Sequence, residues 1–179
     1  MKIDEINTTY IARCHRQLKK WNAPMNNWYC VDVIDIEEDS SSNGLITCEL
    51  CGCARVRFVH VMQHDEYFED ISVGCICAGI MEGDILAARE RERLMKNRAK
   101  RKSNFPHRKW KENHYGGYSL KYQGIWVNIH RSKFNQNQYG VSCNGNTVWK
   151  HKDKPITSFL AAAYAAFDLV DPAERIAHL

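Results

Sequence analysis

The sequence predicts an α+β protein, and three observations carry that prediction. Residues 55–62 and 68–73 alternate apolar and polar groups around Gln63-His64-Asp65-Glu66, the pattern of a β-hairpin. Residues 85–102 repeat Ile85, Ala88, Met95 and Ala99 at helical spacing. The last third carries short strand-like stretches at 118–122, 125–130, 139–143 and 147–151, followed by a helical stretch over 158–169.

The remaining elements follow in order. Ile6, Tyr10, Ile11, Cys14, Leu18 and Trp21 fit one face of a helix over 5–21, which Asn22-Ala-Pro24 ends because proline disfavours helix at the residue before it. Residues 28–36 read as a strand, and Glu37 to Gly44 as a polar loop. Gly74 opens a turn into a helix, Gly83 ends it, and Asp84 is a suitable N-cap for the next. Pro106 stops that second helix. Gln123-Gly124 and Asn144-Gly145 supply hairpin turns in the last third. Phe159, Leu160, Ala163, Phe167 and Val170 form an apolar helical face able to cover the resulting meander. The expected domains are 1–105 and 118–179, joined by a linker over 106–117.

The cysteines are the most informative residues. Cys48-Glu-Leu-Cys51-Gly52 has the spacing of a zinc knuckle, and Cys75-Ile-Cys77 stands where the hairpin gives way to helix. Knuckle, hairpin and helix in that order resemble a treble-clef zinc finger. A thiol at a helix start is favoured as thiolate by the helix dipole. The expected site is therefore one structural zinc on Cys48, Cys51, Cys75 and Cys77. The C-x-C spacing of the second pair differs from the usual C-x-x-C and leaves His60 as the alternative fourth ligand. Cys14, Cys30 and Cys143 stand alone and read as packed or half-exposed thiols; Cys53, two residues past the knuckle, is expected to point away from a metal held by Cys48 and Cys51.

The net charge of +4 conceals an asymmetry: residues 89–112 hold eleven Lys/Arg against three Glu, leaving −4 on the rest. A basic block of that density suits a polyanion partner. Lys96-Asn97-Arg98-Ala99 resembles the basic region of leucine-zipper DNA-binding proteins, although no leucine heptads follow. On that reading Arg89, Arg93, Lys96, Arg98, Lys100, Arg101 and Lys102 contact phosphates, and Asn97 reaches a base edge. The 118–179 unit is similar to the sheet-plus-helix DNA-binding domains of plant ethylene-response factors and phage integrase arms. That likeness implies a sheet surface of Trp126, Arg131, Lys133, Trp149 and Lys150; a double-stranded RNA-binding fold also suits a meander followed by a helix. Over roughly residues 20–170 the chain resembles uncharacterised bacterial and phage proteins sharing Cys-Glu-Leu-Cys, Val-Arg-Phe-Val-His and Val-Gly-Cys-x-Cys-Ala followed by Arg-Glu-Arg-Glu-Arg, a likeness that implies architecture and no activity.

No nucleotide-binding loop, nucleophile–base pair or paired-carboxylate signature stands out. Treble-clef nucleases of the HNH type place one His on the hairpin, as His60 does here, but the helix after it lacks their Asn and His. Asp32, Asp35, Glu37 and Glu38 form an acidic cluster better read as a solvated loop than as a magnesium site. No segment is long and apolar enough to span a membrane, and the acidic N-terminus does not resemble a signal peptide. The expectation is a cytoplasmic, non-catalytic, zinc-stabilised protein binding DNA or RNA. The alternative is a module that grips an acidic protein surface, as in a phage or host defence complex.

Overall fold

The structure, a computed structural model, describes residues 7–38 and 44–177. It is α+β and divides into two units. Unit 1 runs to Asn97 and takes back the chain from Ala173; unit 2 is Arg98–Pro172.

Unit 1 begins with α1 (Thr8–Lys20), which the Asn7 side chain caps by accepting a hydrogen bond from the Thr9 amide. Strands β1 (Tyr29–Asp35), β2 (Phe58–His64) and β3 (Tyr67–Val73) form a three-stranded antiparallel sheet in that order. The expected hairpin is present, with its first strand starting at Phe58 rather than Arg55. Successive strand residues face opposite sides of a sheet, so burial of both Val59 and His60 shows that β2 is covered on both faces. Helix α2 (Cys75–Glu82) follows β3 directly, and Gly83 ends it. Helix α3 (Ile85–Asn104) starts where Asp84 accepts a hydrogen bond from the Ala87 amide at 2.9 Å. A short α5 (Glu174–Ala177) also belongs to this unit. The core joins Cys14, Leu18, Trp28, Met62, Val73, Met81 and Ala88 to the cysteines Cys48, Cys51 and Cys77. The start of the expected 37–44 loop is a 3-10 turn, Ile36–Glu38; residues 39–43 lie outside the described residues.

Unit 2 holds a five-stranded antiparallel sheet in the order β4 (Lys111–Glu112), β5 (Tyr118–Tyr122), β6 (Ile125–Arg131), β7 (Tyr139–Cys143), β8 (Asn146–Val148). A two-stranded ribbon, β9 (Lys150–His151) with β10 (Lys154–Pro155), leads to α4 (Phe159–Val170), capped by Ser158. Gln123-Gly124 and Asn144-Gly145 each have positive φ at both residues (49° and 83°; 49° and 80°), the conformation a two-residue hairpin requires and glycine adopts without strain. Helix α4 packs on β6 and β7, burying Val127, Ile129, Val141 and Cys143 under its alanines and Phe167. Phe105 is fully buried and meets Trp110, Tyr122 and Phe167 edge-on at 5.1–5.5 Å.

The division differs from the expected one. The boundary falls inside α3, between Asn97 and Arg98. The stretch 106–117 is built into unit 2, because Pro106 is buried, Trp110 packs on the core and Lys111 pairs with Ser119.

One carboxylate organises the polar side of this unit. Asp168 on α4 accepts hydrogen bonds from Arg98 (2.6 Å), Lys102 (2.7 Å) and His151 (2.7 Å). Burial works against its charge, but the His151 hydrogen bond and the Lys102 and Arg98 charges outweigh it and hold the carboxyl well below the ordinary range. A folded-state pKa below the unfolded one stabilises above the unfolded value, and that contribution is lost as the pH falls through roughly 4 toward the folded value. Asp168→Asn should lower stability by about 3 kcal/mol near neutrality, since it leaves buried cations without their partner. Denaturant titration checks this, and the deficit of the variant should shrink in acid.

Candidate metal centre and nucleic-acid interface

The knuckle forms as a tight turn: the Cys48 amide donates to the Cys53 carbonyl and the Gly52 amide to the Cys48 carbonyl, both at 2.8 Å. The Arg13 guanidinium on α1 donates to the Cys51 carbonyl at 2.8 Å, tying helix to turn. The Sγ atoms of Cys48, Cys51 and Cys77 lie within 4.8 Å of one another. A hydrogen bond from the Gly74 amide reaches Cys48 Sγ at 3.4 Å. Two further groups from α1 approach the cluster. Cys14 Sγ lies 4.0 Å from Cys77 Sγ, and the Tyr10 hydroxyl 3.0 Å from the same sulfur. Contact with Cys77 and burial push the Cys48 thiol well above its ordinary range, the situation a cation relieves by taking the thiolates as ligands.

Cys75 is not in this group. Its Sγ joins His60 and Glu92 in a second candidate cluster, again with ligand atoms within 4.8 Å of one another. Of the four expected cysteines the structure thus brings Cys48, Cys51 and Cys77 together and places Cys75 with His60, the alternative ligand, in the second cluster. The reason is angular. Residues two apart on a helix point about 200° apart around its axis, so Cys77 faces the knuckle and Cys75 faces β2 and α3. His60 is 0% exposed, with Cys30 Sγ 3.9 Å from its Nδ1 and no hydrogen-bond partner for its Nε2. Burial, then the nearby Arg91, lowers its pKa to about 4, so the ring is neutral at physiological pH. Burial, then Glu92, pushes the Cys75 thiol up to about 12, which makes it a poor free nucleophile. His64 accepts from the Glu66 amide and meets the Trp28 ring at a tilt, with centroids 5.4 Å apart.

The acidic cluster is engaged in structure: Asp35 receives two hydrogen bonds from Arg57 (2.8 and 2.9 Å), Glu37 also pairs with Arg57, and Asp32 caps the Val33 amide.

Helix α3 departs most from expectation. Arg98 is 2% exposed and Lys102 is buried, both on Asp168, and Arg98 also donates to the Asp171 carbonyl. Arg101 binds the Asp171 carboxylate at 2.7 and 2.9 Å. Arg93 pairs with Glu90, Lys96 with Glu92, and Arg91 is buried on Glu82. Asn97 and Lys100 are exposed, and Arg89 is half-buried. Counting helix-local glutamates predicts too few acids for the cations; the missing ones, Asp168 and Asp171, come from some seventy residues away.

The sheet of unit 2 presents its second face openly. Since α4 covers the side of Val127, Ile129 and Val141, the other side carries Lys121, Trp126, Asn128, His130, Ser142, Thr147 and Trp149. Trp126 is 52% and Trp149 38% exposed, so neither is a core aromatic. Lys121 stands over the Trp126 ring at 6.0 Å. Trp149 crosses Gly140 to meet His130 edge-on at 5.0 Å; a Cβ on Gly140 would lie 2.6 Å from His130 Nε2 and 2.9 Å from the Trp149 ring. Beside it, His130, Arg131, Lys133, Phe134 and Trp149 line a concavity of about 1110 Å³, in which Phe134 is fully exposed. Lys150 is exposed next to Trp149. Residues Lys121, Asn128 and Phe134 were not singled out by sequence; pairing of 121 with 126 across a turn was the available signal.

Comparison with protein-family models, with curated proteins and with solved structures finds no match. Among the described residues no helix is long and apolar enough to cross a membrane.

These placements predict opposite behaviour for two cations of one helix. Arg98→Glu should prevent or severely weaken folding of unit 2, because it buries a carboxylate against Asp168. Lys100→Glu should change stability by no more than about 0.5 kcal/mol, as at other exposed positions. Thermal melts of both variants check the contrast.

Proposed function

We propose that this chain is a zinc-stabilised nucleic-acid-binding protein whose binding surface is the open sheet face of unit 2 and its adjoining concavity. The observation that carries the reading is the coincidence of charge and aromatic exposure. Residues 98–172 hold thirteen Lys/Arg against four Asp/Glu, a net +9, and leave −5 on the remainder. Because Arg98, Arg101 and Lys102 are spent on Asp168 and Asp171, the excess that meets solvent includes Lys121, Arg131, Lys133 and Lys150. Exposed Trp126, Trp149 and Phe134 offer flat rings among these cations, the pairing by which bases stack while phosphates are neutralised. Asn128 stands between them as a group able to read a base edge. Lys100 and Asn97 of α3 remain available for phosphate contacts.

The zinc assignment rests on the donor chemistry. Zn–S bonds of about 2.3 Å set tetrahedral S···S edges of roughly 3.8 Å, and the 4.0 Å between Cys14 and Cys77 fits such an edge. Cys14, Cys48, Cys51 and Cys77 would hold the ion as a closed structural site, with the Tyr10 hydroxyl donating to a ligand sulfur from outside. The chemistry it would supply is cross-linking of α1, the knuckle and α2.

Two measurements test the proposal. A chelator concentration that leaves the wild type folded should unfold Cys14→Ser, because zinc binding is coupled to folding, yet leave Cys75→Ser folded. Equal resistance of the two would remove Cys14 from the site. For binding, fluorescence anisotropy of the full chain with labelled single-stranded DNA and RNA and with duplex DNA should show affinity falling steeply with salt. Trp126→Ala should weaken single-strand binding roughly tenfold, and Lys121→Glu with Lys150→Glu should reduce the salt slope by about two. Absence of binding at low salt, or a Trp126→Ala variant with wild-type affinity for every probe, would overturn the reading.

A further inference from the structure

We propose that His60, Cys75 and Glu92 hold a second divalent cation, one that keeps an open coordination position and takes a phosphate-type oxyanion there. The three ligands come from three elements of unit 1: the middle of β2, the first residue of α2 and the second turn of α3. Their ligand atoms already lie within 4.8 Å of one another.

The first independent sign is His60. Its side chain is fully buried, and its Nε2 makes no hydrogen bond. An orphaned buried polar atom is costly and rare in folded proteins, and needs an explanation. Cys30, 3.9 Å from Nδ1, occupies only the other nitrogen. A metal ion bound at the orphaned nitrogen supplies the missing partner.

The donor set is a second sign. One sulfur, one imidazole nitrogen and one carboxylate oxygen make a three-ligand site of the kind that leaves a fourth position to an exogenous ligand, unlike the all-sulfur cluster around Cys77. The third sign is what the open side faces. Cys75 and Glu92 form part of the floor of a cleft of about 470 Å³ lined also by Ile76, Arg89, Arg93 and Lys96. Positions 89, 92, 93 and 96 fall on one face of α3, so the two arginines and the lysine stand around the carboxylate ligand. A divalent ion on a thiolate, a carboxylate and a neutral imidazole is a neutral unit beneath a cationic rim. Lys96 pairs with Glu92; a cation on that carboxylate competes for it and turns the ammonium toward an incoming anion. Arg89 offers the planar fork that suits phosphate oxygens, and Arg93, whose fork lies on Glu90 at the exposed rim, adds its charge beside it. The inference does not depend on nucleic-acid binding by the sheet of unit 2.

The test uses the full chain loaded with cobalt(II). Metal analysis should give two ions per chain in the wild type and one in Glu92→Gln. The second-site affinity in that variant should drop by more than the roughly 10–100-fold that loss of an outer-sphere partner costs. His60→Ala should behave likewise; should its smaller side chain unfold the protein, Glu92→Gln at the cleft floor remains decisive. Added inorganic phosphate should shift the visible absorption of the second cobalt, and Arg89→Ala with Arg93→Ala should blunt that shift at unchanged metal content. A short oligonucleotide shifting the spectrum as phosphate does would identify phosphodiesters as the source of the oxyanion; response to free phosphate alone would identify the small anion. One ion per chain, unaffected by Glu92→Gln, would overturn the proposal. So would a single ion lost on Cys75→Ser, which would return Cys75 to the sulfur cluster, or two ions with no response to either anion.

Discussion

The 100° step of an α-helix governs how unit 1 is put together. Helix α2 begins immediately after β3, with no loop to reorient it, so the direction of its first residues is set by the sheet. Cys77 then points into the core, where α1 and the knuckle bring Cys14, Cys48 and Cys51. Cys75 is carried to the far side, toward a β2 histidine and an α3 glutamate. Two residues that look like a pair in sequence therefore serve two neighbourhoods. The same step explains why Tyr10 and Cys14, four apart on α1, both reach Cys77: residues four apart share a helix face.

Electrostatics follows a comparable division in α3. Its basic sequence is balanced partly along its own length, by Glu90 and Glu92, and partly by Asp168 and Asp171. The long-range pairs are the costlier ones to break, because Arg98 and Lys102 are taken out of water and must be matched. A helix that resembles a basic recognition element is in its C-terminal half a structural strut. Lys100 stays in solvent there, and further solvent-facing cations of unit 2 lie on its strands and turns.

Most elements were legible because their signals are local. The Asp84 cap, the Asn144-Gly145 turn, the periodic face of α4 and the hairpin of β2 and β3 are each written within a few residues of where they act. The knuckle was legible for the same reason. What escaped was set by contacts remote in sequence. Cys14 lies 63 residues from Cys77, and a lone cysteine on an apolar helix face carries no local mark of the sulfur it will approach. Arg98 lies 70 residues from Asp168, so its burial has no signature in the helix pattern. The linker was misplaced because Pro106, a true stop for α3, is also a packed part of the core that follows.

On the proposed reading, charge and covering decide which surface of unit 2 would meet nucleic acid. A sheet buried on one side by an alanine-rich helix has a dry face and a wet one, and the wet one here is unusual in keeping two tryptophans. Exposing such rings costs about 25 cal/mol for each Å² left in water, a cost that core packing alone gives no reason to bear. A net charge of +9 on the same unit adds self-repulsion that Asp168 and Asp171 only partly offset. On the proposed reading both penalties would be relieved by one kind of ligand, a polyanion with flat apolar faces. An acidic protein surface would neutralise the cations but leave the rings to be covered by its own aromatic or aliphatic groups, whereas a nucleic acid presents phosphate and base together at every step. The Gly140 position supports that geometry from below: without a side chain there, Trp149 lies across the sheet against His130 and holds its exposed edge in a fixed orientation beside Lys150.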